Sequence, residues 1–228
     1  LLRGMAGNLV YPRFFVRMFL ELIMVLNRPL IVGLTGSVAM GKTETAQMFR
    51  RLRVPVFDAD AEVHRILGSG GAAVKRVSAS FPGVLRGDAI DRKALGARVF
   101  GSKSDLNVLE RIVHPLVNEA RKNFLCRAGV GRAALVVMDV PLLFETRGSN
   151  RYDFVIVVSA PAFVQRQRAM ARSNMNKEKL SSILSRQMPD PLKRRNADFV
   201  ICTGVGKRAA RISIIRILRI LKRRAFSR

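Results

Sequence analysis

The sequence is poor in the residues that staple or metallate a small fold. Its 228 residues hold two cysteines, Cys126 and Cys202, and two histidines, His64 and His114, with no C-x-x-C. That excludes zinc modules, haem attachment and a secreted disulfide framework, and it suits a reducing, cytoplasmic setting. Long apolar runs are missing as well. The stretch 16–26 is interrupted by Arg17 and Glu21, far short of the ~18–20 residues that span a bilayer, so no transmembrane segment is expected. Acid is scarce: 16 Asp and Glu face 41 Lys and Arg, a net charge of +25.

What remains is an ordinary globular mixture, 49% hydrophobic and 25% charged. A chain of this length buries about 70% of its unfolded surface and needs no staple. The charge draws polyanions such as nucleotides, RNA or anionic lipid without choosing among them. Residues 1–28 carry four arginines against Glu21 and read as an N-terminal extension, a targeting peptide being the alternative. Residues 207–228 hold nine cations and no acid. There Ile212, Ile215, Leu218 and Leu221 recur at helical spacing, widened by Ile214 and Ile217. Such a basic amphipathic helix can lie on RNA or a membrane; the reading adopted is that its stripe closes the core of its own domain.

From Leu30 onward, short apolar runs alternate with longer amphipathic ones. Strands are expected at 30–34, 54–57, 134–138, 154–158 and 199–202. Helices are expected from Thr43 to Leu52, after the fourth strand through Arg172, and from the charged 176–195 region. Between 61 and 127 only helical periods appear, with Asp91 and Ser102 as N-caps. Continuous Val/Ile/Leu strands separated by helices imply an α/β fold: a parallel five-stranded sheet covered on both faces in three layers.

The first strand runs into Gly36-Ser37-Val38-Ala39-Met40-Gly41-Lys42-Thr43, which fits G-x-x-x-x-G-K-[ST] where a strand turns into a helix. In that context backbone N–H groups over Ala39–Thr43 cradle phosphates at a helix N-terminus, Lys42 spans the β- and γ-oxygens, and the Thr43 hydroxyl reaches Mg²⁺. ATP and Mg²⁺ are therefore the expected cofactors, with Gly36, Ala39, Met40, Gly41, Lys42, Thr43 and Glu44 about the nucleotide. A switch GTPase would need N-K-x-D, and Asn176-Lys177-Glu178-Lys179 lacks the aspartate. A motor usually needs more sheet. A small-molecule kinase remains.

Asp58 and Asp60 close the second strand. If the strand persists, both face the sheet edge where ligands bind. A carboxylate there can orient an acceptor hydroxyl, accept its proton or help hold Mg²⁺; the competing role is a helix N-cap.

Six strings occur in family order: Gly33-Leu34-Thr35-Gly36 through Thr43, Val56-Phe57-Asp58-Ala59-Asp60, Asp91-Arg92-Lys93-Ala94-Leu95, His114-Pro115-Leu116, Asp139-Val140-Pro141-Leu142-Leu143-Phe144-Glu145 and Arg186-Gln187-Met188-Pro189. With them the chain resembles the dephospho-CoA kinases over about residues 30–222. The resemblance implies a P-loop NTPase-type domain over 29–222, with a helical acceptor-binding insertion at about 61–130 and a lid at about 162–195, followed by a basic tail at 223–228. It implies transfer of the ATP γ-phosphoryl to the ribose 3′-hydroxyl of dephospho-CoA, giving CoA and ADP, by a monomer or weak homo-oligomer with no obligate nucleic acid partner.

By motif position Asp60 is the base and Asp58 its polar neighbour, while Arg92, Lys93, His114 and Leu143 fall where the acceptor binds. Arg92 and Lys93 read equally as a solvated helical turn, and His114 as a satisfied helix histidine before Pro115. Asp139 either holds Mg²⁺ through water or caps a turn. Arg168 and Arg172, at i and i+4, share a helix face and offer a charge-stabilising lid arginine; Arg166 lies off that face, and Arg186 and Gln187 are further lid candidates. The loop departs from the family in Ser37, Ala39 and Met40, where glycine or a small residue is usual. Ala39 must keep a negative φ or accept strain. Glu44 brings a carboxylate close to the triphosphate. Two rivals are another nucleoside or nucleotide kinase, and a basic RNA- or membrane-binding protein with a relic loop.

Overall fold

The computed structural model describes residues 28–146, 148–173 and 175–226. The expectation for the leader therefore falls outside the described residues, apart from Arg28. Five strands, β1 (Leu30–Thr35), β2 (Val56–Asp58), β5 (Leu135–Asp139), β6 (Phe154–Ser159) and β7 (Phe199–Cys202), form one sheet in the order β2-β5-β1-β6-β7. Every pairing is parallel. The inner strands β5, β1 and β6 are rich in aliphatic residues and buried on both faces, as parallel strands between helical layers must be, while the edge strands β2 and β7 are partly exposed.

The covering helices are α1 (Lys42–Arg51), α2 (Ala59–Leu67), α3 (Val74–Ser80), α4 (Arg92–Val99), α5 (Lys103–Val130), α6 (Ala162–Met170), α7 (Lys177–Ser185), α8 (Asp190–Arg195) and α9 (Lys207–Phe226). On one face of the sheet, Ala46, Phe49, Ile214 and Leu221 of α1 and α9 pack against Leu30, Val32, Val137 and Ile156. On the other, Phe124 and Ala128 of α5 pack against Ile31, Phe57, Val136 and Met138. The helices between β2 and β5 gather around a core of their own, built on Ile66, Leu67, Val77, Phe81, Leu95 and Val113.

Several local expectations need correction. The second strand starts at Val56, because the Val54 N–H is taken by the Phe49 carbonyl while Arg53 turns through φ 58°. It also stops at Asp58, so Asp58 and Asp60 do not share a strand face. Asp58 is the N-cap of α2, accepting from the Ala61 N–H at 3.0 Å, and Asp60 stands in the first helical turn. The 61–127 region is not wholly helical. Leu85–Arg86 (β3) and Ala89–Ile90 (β4) pair antiparallel about Gly87-Asp88, with Gly87 at φ 64°. Strands of two residues are too short to show an alternating pattern, though Gly-Asp is fitting hairpin chemistry.

α6 ends at Met170, where the Arg172 N–H bonds back three residues to Ala169 and tightens the turn. Arg172 therefore does not share a helix face with Arg168. The stripe of α9 runs through Ala210, Ile214, Ile217, Leu218 and Leu221, and Ile212 is 43% exposed. That helix continues to Phe226, so nothing in the described part of the tail breaks at residue 223. Asp91 caps α4 through the Lys93 and Ala94 N–H groups, and Ser102 caps α5 through that of Asp105.

Candidate active site

The phosphate loop joins β1 to α1 at the carboxyl edge of the sheet, where α/β folds present ligand sites. Gly36 is required sterically: a Cβ there would lie 2.6 Å from the Val158 carbonyl oxygen. Gly41, the N-cap of α1, sits at φ 93° with Thr203 close behind it. Ala39 accepts the strained alternative, at φ 61°, with its methyl buried against Ala169 and Leu180. Thr43 is exposed in the first turn of α1. The Glu44 carboxylate lies 3.4 Å from Arg51 and 3.2 Å from Lys207, so its charge is shared with two cations rather than left facing the phosphate site.

Lys42 Nζ donates to Asp139 Oδ1 at the end of β5. Asp139 is 5% exposed. Burial raises its carboxyl above the ordinary range, Lys42 opposes this, and the nearby charges of Asp58 and Asp60 add to the rise. Three carboxylates and the loop lysine thus share one electrostatic neighbourhood. Asp58 also lies 3.9 Å from Arg50.

Beside this group opens a cavity of about 480 Å³ between the sheet edge, α2 and α5. Asp60 and His114 are in its wall, with Glu110, Arg121, Arg151 and Tyr152 farther round. Burial pushes the Tyr152 hydroxyl upward, opposed by the Arg121 and Arg151 charges beside it. These two arginines and the tyrosine escaped the sequence reading: they come from α5 and from the turn before β6, and no local pattern joins them.

Other expected acceptor residues lie elsewhere. Leu143 is 0% exposed and packs with Phe144, Val155 and Val157 beneath the sheet edge, its Cδ1 against Gly33, so it cannot touch an acceptor. Within the Asp-x-Pro-Leu-Leu-Phe-Glu string, Val140 lines the cavity, and Leu143 and Phe144 fix the loop behind it. Arg92 and Lys93 are exposed in the first turn of α4 and line no part of the cavity.

The lid candidates divide in the same way. Arg168 donates to the Thr203 hydroxyl and carbonyl, both at 2.9 Å, and the Thr203 hydroxyl donates to the Met40 carbonyl at 2.7 Å. Arg168, Thr203, Gly41, Glu44 and Lys207 surround a second cavity of about 220 Å³ beside α1. Gln187 Oε1 accepts from the Val38 N–H at 3.1 Å. Arg172 and Arg186 are exposed. Glu145, which closes the Asp-x-Pro-Leu-Leu-Phe-Glu string, lies 2.8 Å from the fully buried Lys193 and accepts from the Met188 N–H. This ties the β5 loop to α8.

The comparisons with known proteins agree with this geometry. The family model described as dephospho-CoA kinase matches residues 30–206. A dephospho-CoA kinase of Paramagnetospirillum magneticum is 57% identical over 164 residues, covering 72% of this chain and 77% of that one. That of Rhodospirillum rubrum is 54% identical over 182 residues, covering 79% and 86%. A solved structure from Thermus thermophilus superposes with a TM-score of 0.74 at 30% identity, over 85% of this chain and 97% of its own. With a phosphate loop, an acid cluster and an adjoining cavity already in place, this extent of likeness shows that the chain belongs to the dephospho-CoA kinase family.

Proposed function

We propose that the protein transfers the γ-phosphoryl group of ATP to the ribose 3′-hydroxyl of dephospho-CoA. The observation that carries this reading is the position of Asp60. It stands in the wall of the larger cavity while its charge is felt by Asp139, the partner of Lys42. A hydroxyl presented from the cavity would therefore meet a carboxylate on the side of the phosphate loop.

Each side chain then has a task. The backbone N–H groups over Ala39–Thr43 hold the phosphates, reinforced by the N-terminus of α1. Lys42 leaves Asp139 for the phosphate oxygens. Asp60 orients the acceptor hydroxyl and takes its proton. Arg168, fixed by Thr203, flanks the smaller cavity and suits the nucleoside end of ATP. The exposed Arg172, in the turn after α6, swings toward the phosphates while α6 and α7 stay packed on the loop. His114 contacts the acceptor from α5, and Arg121 and Arg151 offer charge to its diphosphate.

The residues fit magnesium, a hard cation that prefers oxygen. The Thr43 hydroxyl and the Asp139 carboxylate are the donors that would hold it. Among the described residues no cluster of three His, Cys, Asp or Glu makes a cage, so substrate phosphates would complete its shell. When bound, the ion neutralises charge on the β- and γ-oxygens. Among the described residues no helix is long and apolar enough to cross a membrane.

The test is ADP release from ATP and Mg²⁺ with and without dephospho-CoA, with CoA identified by mass. Acceptor-dependent CoA formation, lost in Lys42→Ala, is the expected result. Turnover with adenosine or nucleoside monophosphates but not with dephospho-CoA would overturn the acceptor assignment.

A further inference from the structure

Ala39 occupies a left-handed conformation that residues with a Cβ seldom adopt. Its neighbouring peptide planes are both tied. The Val38 carbonyl accepts from Gln165 Nε2 at 2.9 Å, which fixes the plane before Ala39 and thereby its φ. The Met40 N–H donates to the Ser37 carbonyl at 3.2 Å, which fixes the plane after it. On the other side of Val38, its N–H donates to Gln187 Oε1 at 3.1 Å. Gln165 is 8% exposed on α6, and Gln187 follows α7. The Ala39 methyl sits against Ala169 of α6 and Leu180 of α7. Every one of these contacts except the Ser37 bond comes from residues 162–195.

We propose that Gln165 and Gln187 are positioning residues that hold the phosphate loop open for a nucleoside triphosphate by clamping Val38 and so keeping Ala39 left-handed. Glycine would enter this conformation at no steric cost. In this chain the side-chain amides of a neighbouring segment do the work, which makes the shape of the phosphate site depend on where that segment sits. A movement of α6 and α7 releases Val38, and Ala39 then relaxes toward negative φ and turns its peptide planes away from the phosphates. Both amides are engaged by the Val38 peptide groups.

The inference rests on the nucleotide end of the proposed reaction, so the test reads ATP binding without any acceptor and is independent of what the acceptor is. ATP affinity is measured by titration calorimetry for Gln165→Ala and Gln187→Ala, each in the parent chain and in an Ala39→Gly background. In the parent, each substitution weakens ATP by roughly three- to tenfold, the span of one net hydrogen bond. In the Ala39→Gly background the loss shrinks to within about twofold, because glycine needs no clamp. A merely structural role for the glutamines would cost the same in both backgrounds. Equal losses, or no loss in the parent, overturn the proposal. Should Gln165→Ala fail to fold, the less buried Gln187→Ala pair carries the same comparison, with folding checked by circular dichroism.

Discussion

Lys42 and Asp139 form an ion pair across the mouth of the phosphate loop, joining the first turn of α1 to the last residue of β5. Both are largely withdrawn from water, at 18% and 5% side-chain exposure. Removing one partner of a buried pair strands the other's charge, which costs more than the pair is worth. Lys42→Met is therefore expected to destabilise the ligand-free protein by about 3 kcal/mol, and Lys42→Met/Asp139→Asn should recover most of the loss. Urea unfolding of the two single variants and the double variant gives the cycle. A double variant whose loss equals the sum of the two single losses would show that the pair carries no coupling.

Asp60 and Asp58 should separate cleanly in kinetics and stability. Asp60→Asn removes the proposed proton acceptor, with kcat expected to fall by about 10²–10⁴ and the KM for ATP to change little. Asp58→Ala loses the cap on α2 and costs about 1 kcal/mol of stability. A larger kinetic loss in Asp58→Ala than in Asp60→Asn would reverse the assignment of the base.

The Glu145–Lys193 pair sets an acid-side stability slope. Burial pushes the Glu145 carboxyl up, but hydrogen bonds from Lys193 and from backbone N–H groups outweigh it and hold the group below its ordinary 4.5. A carboxyl whose folded value is depressed stabilises the fold above the unfolded value, and that contribution disappears as pH falls through the folded one. Glu145→Gln should flatten this slope below about pH 4.5. At neutral pH it strands the 0%-exposed Lys193, costing about 3–5 kcal/mol. Thermal midpoints from pH 3 to 7 read both effects.

The two faces of α9 should respond differently to alanine. Ile214 is 0% exposed in the core beneath the sheet, and Ile212 is 43% exposed. Ile214→Ala is expected to cost about 2–5 kcal/mol, and Ile212→Ala under about 0.5 kcal/mol. Denaturant midpoints of the two variants measure the contrast.

The phosphate loop was legible in the sequence because its function is written in contiguous backbone: a buried strand, glycines at tight turns and a helix start follow one another without a gap. The parallel sheet was legible for a similar reason, its inner strands being short, mostly aliphatic runs. Asp58 and Asp60 were found, but their geometry was misread, since the chain turns from strand to helix between them and period-two reasoning fails at that junction. Leu143 was misplaced because an apolar residue in a motif is as readily a wedge under the site as a wall of it. Glu145 and Lys193, Arg121 and Arg151, and Gln165 and Val38 meet only through tertiary packing. Of these, Gln165 gave one signal, a polar residue on the side of α6 that folding buries.

The helix α5 serves both the sheet and the insertion. Val113 and Leu116, around Pro115, pack into the insertion core, while Phe124 and Ala128 pack against the sheet, and Val117 touches both clusters. At 28 residues the helix is about 42 Å long, a single rod with one end in each body. Neither body can melt without freeing half of the other's scaffold. The protein should therefore lose heat-labile structure in one calorimetric transition, and damage to the insertion should be felt at the phosphate loop as lost cooperativity before it is felt as a lost contact.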